Sequence, residues 1–187
     1  MSSCLPIARV FYASVEKAAH PEYQHRPVVV AGDPARRSGI ILAACPVAKQ
    51  FGVTTAERLG TAIAKCPELI VIKPRMQTYL DVSLLLTETL EGFTEMVEPY
   101  SIDEQFLDVT HSIKYFGSPE YIAHLIQSKI YLQTGVWSRI GISSTKVLAK
   151  MACDNFAKKK RRKACSYYPS PKSKPICGSF PFIRCLA

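Results

Sequence analysis

The stretch Tyr100-Ser101-Ile102-Asp103-Glu104 places two adjacent carboxylates between two strand-like segments, at 97–100 and 105–109. Those two segments predict a tight antiparallel hairpin that brackets the acids. Far upstream, the stretch Phe11-Tyr12-Ala13-Ser14-Val15-Glu16 puts an aromatic pair directly after a short apolar run. We expect these two distant stretches to fit one active site.

The rest of the chain alternates short apolar runs with amphipathic segments. Without the block 19–75, the predicted order is strand, helix, strand, strand, helix, strand, which is the ferredoxin-like layout. The block itself contains three short apolar runs with turn signals and reads as an inserted small α/β subdomain. The sequence therefore predicts an α+β fold with helices at 76–96, 119–133 and 146–156 and a strand at 136–142.

Composition excludes several classes of protein. The chain has 187 residues and is 48% hydrophobic, which is enough for a core. No uninterrupted apolar run approaches the ~20 residues needed to span a bilayer, and Pro6 and Arg9 interrupt the N-terminal apolar stretch, which argues against a signal peptide. The seven cysteines form no C-x-x-C pair, so they are typical of reduced cytosolic thiols.

The net charge of +9 belongs to the C-terminal segment and not to the body. Nine basic residues and no acidic ones occur from Lys158 to Ala187, so the remainder has a net charge of zero. Residues 161–187 are also rich in proline and lack any helical or strand period, which predicts a disordered basic tail. A natural lysine-rich patch that binds phosphate or directs nuclear import is the competing interpretation.

Three further stretches occur in the same order as in a known family. They are Arg26-Pro27-Val28-Val29-Val30, the segment 44–49 before Phe51-Gly52-Val53, and the segment 141–150. With the acidic hairpin and the aromatic pair, the chain from about 11 to 159 resembles the N-terminal part of Y-family (UmuC-like) translesion DNA polymerases.

The resemblance implies a domain organisation. Residues 1–18 and 76–160 correspond to the palm, residues 19–75 to the fingers, and 161–187 to a disordered or out-of-frame tail. The thumb and little-finger domains of the family have no counterpart in this sequence.

The resemblance also implies the chemistry of the acidic pair. Asp103 and Glu104 are the catalytic carboxylates and ligands of two Mg²⁺ ions, with Asp103 bridging both ions and Glu104 binding the catalytic one. Two-metal nucleotidyl transfer needs carboxylates from elements that are fixed against one another. A solvated acidic hairpin is the alternative for this pair.

Other residues carry over as nucleotide contacts. Tyr12 is the steric gate that excludes a ribose 2′-hydroxyl, and Phe11 beside it is a nucleotide contact or simply a core aromatic. Lys49 and Lys158 contact the triphosphate, and Ile40 and Leu42 line the roof over the nascent base pair. For Lys146 and Lys150 two interpretations stay open, as solvated helix residues or as DNA contacts.

Position 7 departs from the family pattern. This branch has Asp-Cys-Gln-Ser before the aromatic pair, whereas this chain has Ile7-Ala8-Arg9-Val10. One possible codon set for these four residues, ATT-GCC-AGA-GTT, would encode Asp-Cys-Gln-Ser if it were preceded by a G and read one base earlier. We therefore hypothesise a single-base frame change near the Phe11 codon, which removes the third metal ligand.

The expected function follows from the resemblance and from this departure. The family carries out template-directed DNA synthesis in damage bypass and the SOS response, and its partners are primer-template DNA, deoxynucleoside triphosphates and, in the intact parent, a sliding clamp, in the bacterial cytoplasm at the nucleoid. We expect this chain to be weak or inactive alone. The alternatives are an inactive remnant that retains weak binding of damaged DNA or nucleotides, and a nucleotide cyclase with the same palm layout.

Overall fold

The structure, a computed structural model, describes the backbone of residues 3–8, 10–33, 39–154, 165–167 and 182–186, and the side chains of 10–33 and 39–154. The chain divides into two compact units, Val10–Tyr79 and Met1–Arg9 with Leu80–Ala187. The palm and fingers bounds expected from the sequence remain a prediction. No helix among the described residues is long and apolar enough to cross a membrane.

The described residues form nine strands, seven α-helices and one 3-10 turn. In chain order they are β1 (Ser3–Ala8), α1 (Phe11–Ala19), a 3-10 turn (Pro21–Tyr23), β2 (Val28–Ala31), β3 (Ile41–Ala44), α2 (Pro46–Gln50), α3 (Leu59–Lys65), β4 (Ile70–Ile72), α4 (Met76–Glu91), β5 (Val97–Pro99), β6 (Glu104–Leu107), α5 (Ile113–Phe116), α6 (Pro119–Thr134), β7 (Ser138–Ser143), α7 (Lys146–Ala152), β8 (Cys165–Tyr167) and β9 (Phe182–Leu186).

The unit Val10–Tyr79 is built on a three-stranded sheet. Strand β2 lies in the middle, antiparallel to β3 and parallel to β4. All four residues of β2 are fully buried, as expected for a central strand that is covered on both faces. Helix α1 packs against β2 and β3, so its aromatic residues lie over this core.

The other unit contains the ferredoxin-like sheet. Strand β1 pairs antiparallel with both β6 and β7, and β5 pairs with the far side of β6. The pairings β5–β6, β6–β1 and β1–β7 are those of the predicted βαββαβ layout, although β1 meets β6 only at the pair Ile7 and Glu104 and the strand order also places β9 between β6 and β7. Strand β8 adds in parallel to β7, and β9 also pairs with β6 and β7. Helices α6 and α7 pack against β7.

Most predicted elements are confirmed. Helix α6 begins at Pro119 and ends before Gly135, whose φ of 69° satisfies the left-handed C-terminal geometry. The predicted buried face of α4 is confirmed at Tyr79, Leu86 and Leu90. The three- and four-residue spacing of apolar side chains in α6 predicts Tyr121 on the buried face, but Tyr121 is 56% exposed, because Ile122 occupies the inward position.

The C-terminal segment 161–187 is described only in part. Its described residues form the short strands β8 and β9, where the sequence predicts no regular structure. These strands have no apolar periodicity that would reveal them, and they are defined by pairing with β6 and β7. The remaining positions of the predicted disordered tail lie outside the described residues.

Candidate active-site residues

The acidic pair lies at the start of strand β6, next to the first strand of the chain. Glu104 is the first residue of β6, and its register partner on β1 is Ile7. The backbone amides of Tyr100 and Ser101 donate to the Glu104 carbonyl over 2.9 and 3.0 Å, which closes the turn before β6. This single β1–β6 residue pair places the backbone of position 7 across from Glu104, next to Asp103, and Glu104 also pairs with Leu186 of β9.

Asp103 is half-buried within this turn. Burial, which disfavours the charged form, raises the pKa of the Asp103 carboxyl, and the neighbouring Glu104 charge acts in the same direction. The Ser101 hydroxyl donates to Oδ1 of Asp103 over 3.0 Å, which opposes that shift. A cation at this site would restore the ionised form, since an opposite charge favours the carboxylate.

Two lysines on α7 contact the hairpin. The Lys150 Nζ lies 2.6 Å from Oε2 of Glu104 and 5.1 Å from the centre of the Tyr100 ring. One turn earlier, Lys146 pairs with Glu98, and its Nζ is 5.6 Å from the centre of the Phe106 ring. Both residues are thus held by the hairpin, an arrangement that the sequence left open.

A glycine allows α7 to approach the sheet this closely. A Cβ atom added at Gly141 on β7 would lie 2.7 Å from the backbone nitrogen of Cys153 and would also overlap the Ala149 carbonyl. Backbone atoms cannot yield as a flexible side chain can, so the position requires glycine. Close packing of α7 on β7 brings Lys150 within reach of Glu104.

The acidic pair has the oxygen donors that a magnesium site needs. Magnesium takes oxygen ligands and is commonly held by one or two carboxylates, with waters and substrate phosphates completing the shell. Asp103 and Glu104 fit that pattern for one ion. Within the described residues no group of three or more His, Cys, Asp or Glu side chains could hold a metal, and position 7 carries no oxygen donor.

In the unit Val10–Tyr79, the candidate gate residue belongs to an aromatic cluster. Tyr12 is half-buried, with ring centres 4.7 Å from Tyr79 and 5.9 Å from Phe11. Phe11 is only 3% exposed, as expected for a core aromatic. Its predicted contact with a nucleotide, and the convergence of Tyr12 with the acidic pair, remain predictions.

A buried ion pair supports this cluster and was missed at the sequence level. Glu16 is fully buried and accepts hydrogen bonds from the Tyr79 hydroxyl at 2.7 Å and from Arg75 at 2.7 and 3.2 Å. Burial, together with the bond to Glu16, raises the pKa of Tyr79. No local pattern reveals this pair, because Glu16 and Arg75 are 59 residues apart in the sequence.

The candidate base-pair and triphosphate residues lie on the same unit. Ile40 and Leu42 are 57% and 45% exposed, although their neighbours Ile41 and Ala43 are buried. Lys49 is exposed on α2, whose first turn is capped by the Cys45 thiol accepting from the Ala48 amide at 3.4 Å. Lys158 lies outside the described residues.

Comparison with known sequences places the chain in a family. Residues 8–154 match the sequence model of the impB/mucB/samB family, a Y-family polymerase domain. The chain is 62% identical over 149 residues to DNA polymerase IV 2 of Halalkalibacterium halodurans, covering 80% of this chain and 36% of the relative. It is 59% identical over 151 residues to DNA polymerase IV 2 of Bacillus subtilis, covering 81% and 37%.

Solved structures agree with these matches. The crystal structure of DinB from Sulfolobus solfataricus superposes with a TM-score of 0.80 at 25% identity, covering 90% of this chain and 48% of that one. An insertion ternary complex of Dbh DNA polymerase gives 0.81 at 26% identity, covering 91% and 49%. The chain thus spans little more than a third of the length of its curated relatives and about half of these structures.

Proposed function

The chain belongs to the impB/mucB/samB family of Y-family DNA polymerases, and from that premise we propose that it is the palm-and-fingers part of a translesion polymerase. In the intact parent this part performs template-directed nucleotidyl transfer with two Mg²⁺ ions. Family membership removes the nucleotide cyclase alternative. In this chain we infer that the reaction is impaired, because position 7 is Ile.

One observation carries the proposal: Ile7 is the register partner of Glu104, next to Asp103. An aspartate at position 7 would come from a strand paired directly with the strand of the acidic pair. Carboxylates on neighbouring strands can share metal ions, as two-metal catalysis requires. With Ile7 in that place, two of three acids remain.

Asp103 and Glu104 supply the remaining oxygen ligands in this proposal. Bound Mg²⁺ would activate the primer hydroxyl and stabilise charge on the triphosphate, a contribution of several kcal/mol. The chain's own residues prepare the pair: the Ser101 hydroxyl orients Asp103, and the β6 ladder fixes the backbone of Glu104. Loss of one ligand should lower the rate by orders of magnitude, since about 1.4 kcal/mol is tenfold.

Tyr12 is the proposed steric gate against ribonucleotides. Its ring packs on Tyr79, whose hydroxyl is fixed by the buried Glu16. A ring held in this way cannot yield space to an added 2′-oxygen, which is a steric basis for sugar selection. The Glu16–Arg75–Tyr79 cluster thus acts through Tyr12 as a positioning group.

The remaining contacts complete the proposed substrate set. The exposed Ile40 and Leu42 present apolar surface for the roof of the nascent base pair, and the exposed Lys49 can reach phosphate. Lys158 is proposed as a second triphosphate contact, and Phe11 as a nucleotide contact behind the gate. Primer-template DNA, deoxynucleoside triphosphates and a sliding clamp remain the proposed partners, and the nucleoid in the bacterial cytoplasm the proposed location.

A chimera tests the proposal directly. Residues 1–154 of this chain, followed by the C-terminal part of the B. subtilis relative, are assayed for primer extension with Mg²⁺. We expect no extension with Ile7, and extension after Ile7→Asp that is lost again with Asp103→Asn. Extension by the Ile7 form at the rate of the Ile7→Asp form would refute the assigned role of position 7.

The inactive-remnant alternative makes a different prediction in the same assay. A remnant would bind a fluorescent primer-template or nucleotide weakly, yet Ile7→Asp would restore no turnover in the chimera. Fluorescence anisotropy and extension, measured on the same preparations, separate the two functions.

A further inference from the structure

We propose that Lys150 is the resident counter-ion of the catalytic acid pair and that it lowers the affinity of this pair for divalent metal. In this assignment the Lys150 ammonium group stays paired with a carboxylate oxygen of Glu104 until a metal ion displaces it. The inference rests on the proposed role of Asp103 and Glu104 as metal ligands. It adds a positioning and tuning residue from a separate helix.

The position of the ammonium group carries the inference. The Lys150 Nζ is 2.6 Å from Oε2 of Glu104, and the side chains are 38% and 15% exposed. The same nitrogen lies over the Tyr100 ring at 5.1 Å, so the turn before the acids supplies a second attraction. The charge of Lys150 also opposes the raised pKa of Asp103, so it acts on both acids.

Electrostatics fixes the sign of the effect. A divalent ion that binds Glu104 would lie within a few ångströms of a positive charge, and partial burial strengthens that repulsion. Removing the charge leaves the Glu104 backbone in place, because strand pairing and the turn hydrogen bonds hold it, and the carboxylate stays available to a metal ion. Loss of the Lys150 charge should therefore strengthen metal binding.

Lys146 provides a matched control. It lies one turn earlier on α7, pairs with a carboxylate of the same hairpin and also lies over an aromatic ring. Its partner Glu98 is 55% exposed and is not a proposed metal ligand. Replacing Lys146 removes the same charge from the same helix without freeing the acidic pair.

The test measures Mn²⁺ binding by electron paramagnetic resonance on the complete chain, with no nucleotide or DNA. We expect Lys150→Gln to lower Kd by about tenfold, and Lys150→Arg and Lys146→Gln to leave Kd within about twofold. An unchanged or higher Kd in Lys150→Gln, or an equal gain in Lys146→Gln, overturns the inference.

Two further measurements separate this inference from the proposed function. Mn²⁺ binding that persists in Asp103→Asn with Glu104→Gln would show that the acids are not the metal site, and both proposals then fail. Binding that is lost in that variant but unaffected by Lys150→Gln overturns the counter-ion role alone. In the unsubstituted chain with ¹³C-labelled lysine, saturating Mg²⁺ should shift the ε-carbon signal of Lys150 and not that of Lys146, and an unmoved Lys150 signal overturns the inference.

Discussion

Val10, at the residue scale, adopts a backbone conformation that does not suit its side chain. It precedes α1 with φ 70° and ψ 53°, the left-handed region, and makes no side-chain cap to the helix. A β-branched residue there is an outlier that costs on the order of 1–3 kcal/mol. The misfit is consistent with the hypothesis that residues 7–10 derive from a shifted reading frame.

Val10→Asn should therefore stabilise the protein. Asparagine tolerates the left-handed region, so we expect the free energy of unfolding to rise by about 1 kcal/mol in urea denaturation. Val147→Asn is the control, since Val147 is 70% exposed on α7 and the two residues have similar helix propensities. A loss of stability in Val10→Asn comparable to a core substitution would contradict this account.

Asp103 makes the stability depend on pH in a defined direction. The pKa of Asp103 is raised in the folded state by burial. Between the ordinary aspartate pKa and this raised value, the folded chain therefore binds more protons than the unfolded chain. Stability then falls as pH rises through the ordinary aspartate pKa to the folded value. Asp103→Asn removes this loss, so in EDTA it should be more stable than the parent at neutral pH.

The same comparison at acid pH supplies the check. Below the ordinary aspartate pKa both states protonate Asp103, and the advantage of Asp103→Asn should vanish. Thermal unfolding from pH 3 to 7 measures the difference between the two proteins. An advantage that is constant across this range would mean that the substitution acts through packing or hydrogen bonding and not through ionisation.

The sequence predicts the surroundings of a single residue only where neighbouring residues in the chain form a recognisable pattern. The hairpin around Asp103 and Glu104 was predicted because two strand-like segments bracket these acids, and the hairpin is confirmed. The role of the two acids as metal ligands remains a prediction. The Glu16–Arg75 pair was missed because its partners are 59 residues apart and nothing local requires a carboxylate at position 16 to be buried. The Lys150–Glu104 pair, 46 residues apart, was missed for the same reason.

At the scale of elements, the packing of α7 on β7 depends on Gly141. An added Cβ would meet backbone atoms of Ala149 and Cys153, so the helix must move outward to accept it. We expect Gly141→Ala to lower the free energy of unfolding by about 2 kcal/mol, as overpacking does. Because α7 carries Lys150, the distance from the Lys150 Nζ to Oε2 of Glu104 should increase as well.

Denaturation with a matched glycine checks this packing prediction. At Gly32 the nearest atom to an added Cβ is 3.6 Å away, an ordinary contact. Gly32→Ala should therefore change the stability by less than about 0.5 kcal/mol. Equal effects of the two substitutions would show that the loss comes from glycine flexibility and not from the close approach of α7.

Elements with strong periodicity or clear boundary residues were predicted, whereas two short helices that have neither were not. Proline favours the first position of a helix and glycine the position just after its end, and α2 begins at Pro46 and α6 ends before Gly135. Helices α3 and α5 were not predicted, since they span seven and four residues, too few for a helical period to show. Their positions are set by tertiary packing, which the local sequence does not encode.

The whole molecule has its charge concentrated in one segment, and this determines how it should bind DNA. Residues 158–187 carry nine basic residues and no acidic ones, whereas the rest is neutral. Binding by basic residues releases counterions, so the logarithm of the binding constant falls with the logarithm of the salt concentration, with a slope of about −0.9 per phosphate contacted.

Replacing the six basic residues from Lys158 to Lys163 by glutamine should flatten that slope by about four or five units. A scrambled tail of unchanged composition is the control and should bind as the parent does, because the term depends on charge and not on sequence. Anisotropy titrations of a fluorescent primer-template over a range of KCl concentrations measure both slopes, and an unchanged slope in the glutamine variant would mean that the neutral body and not the tail supplies the phosphate contacts.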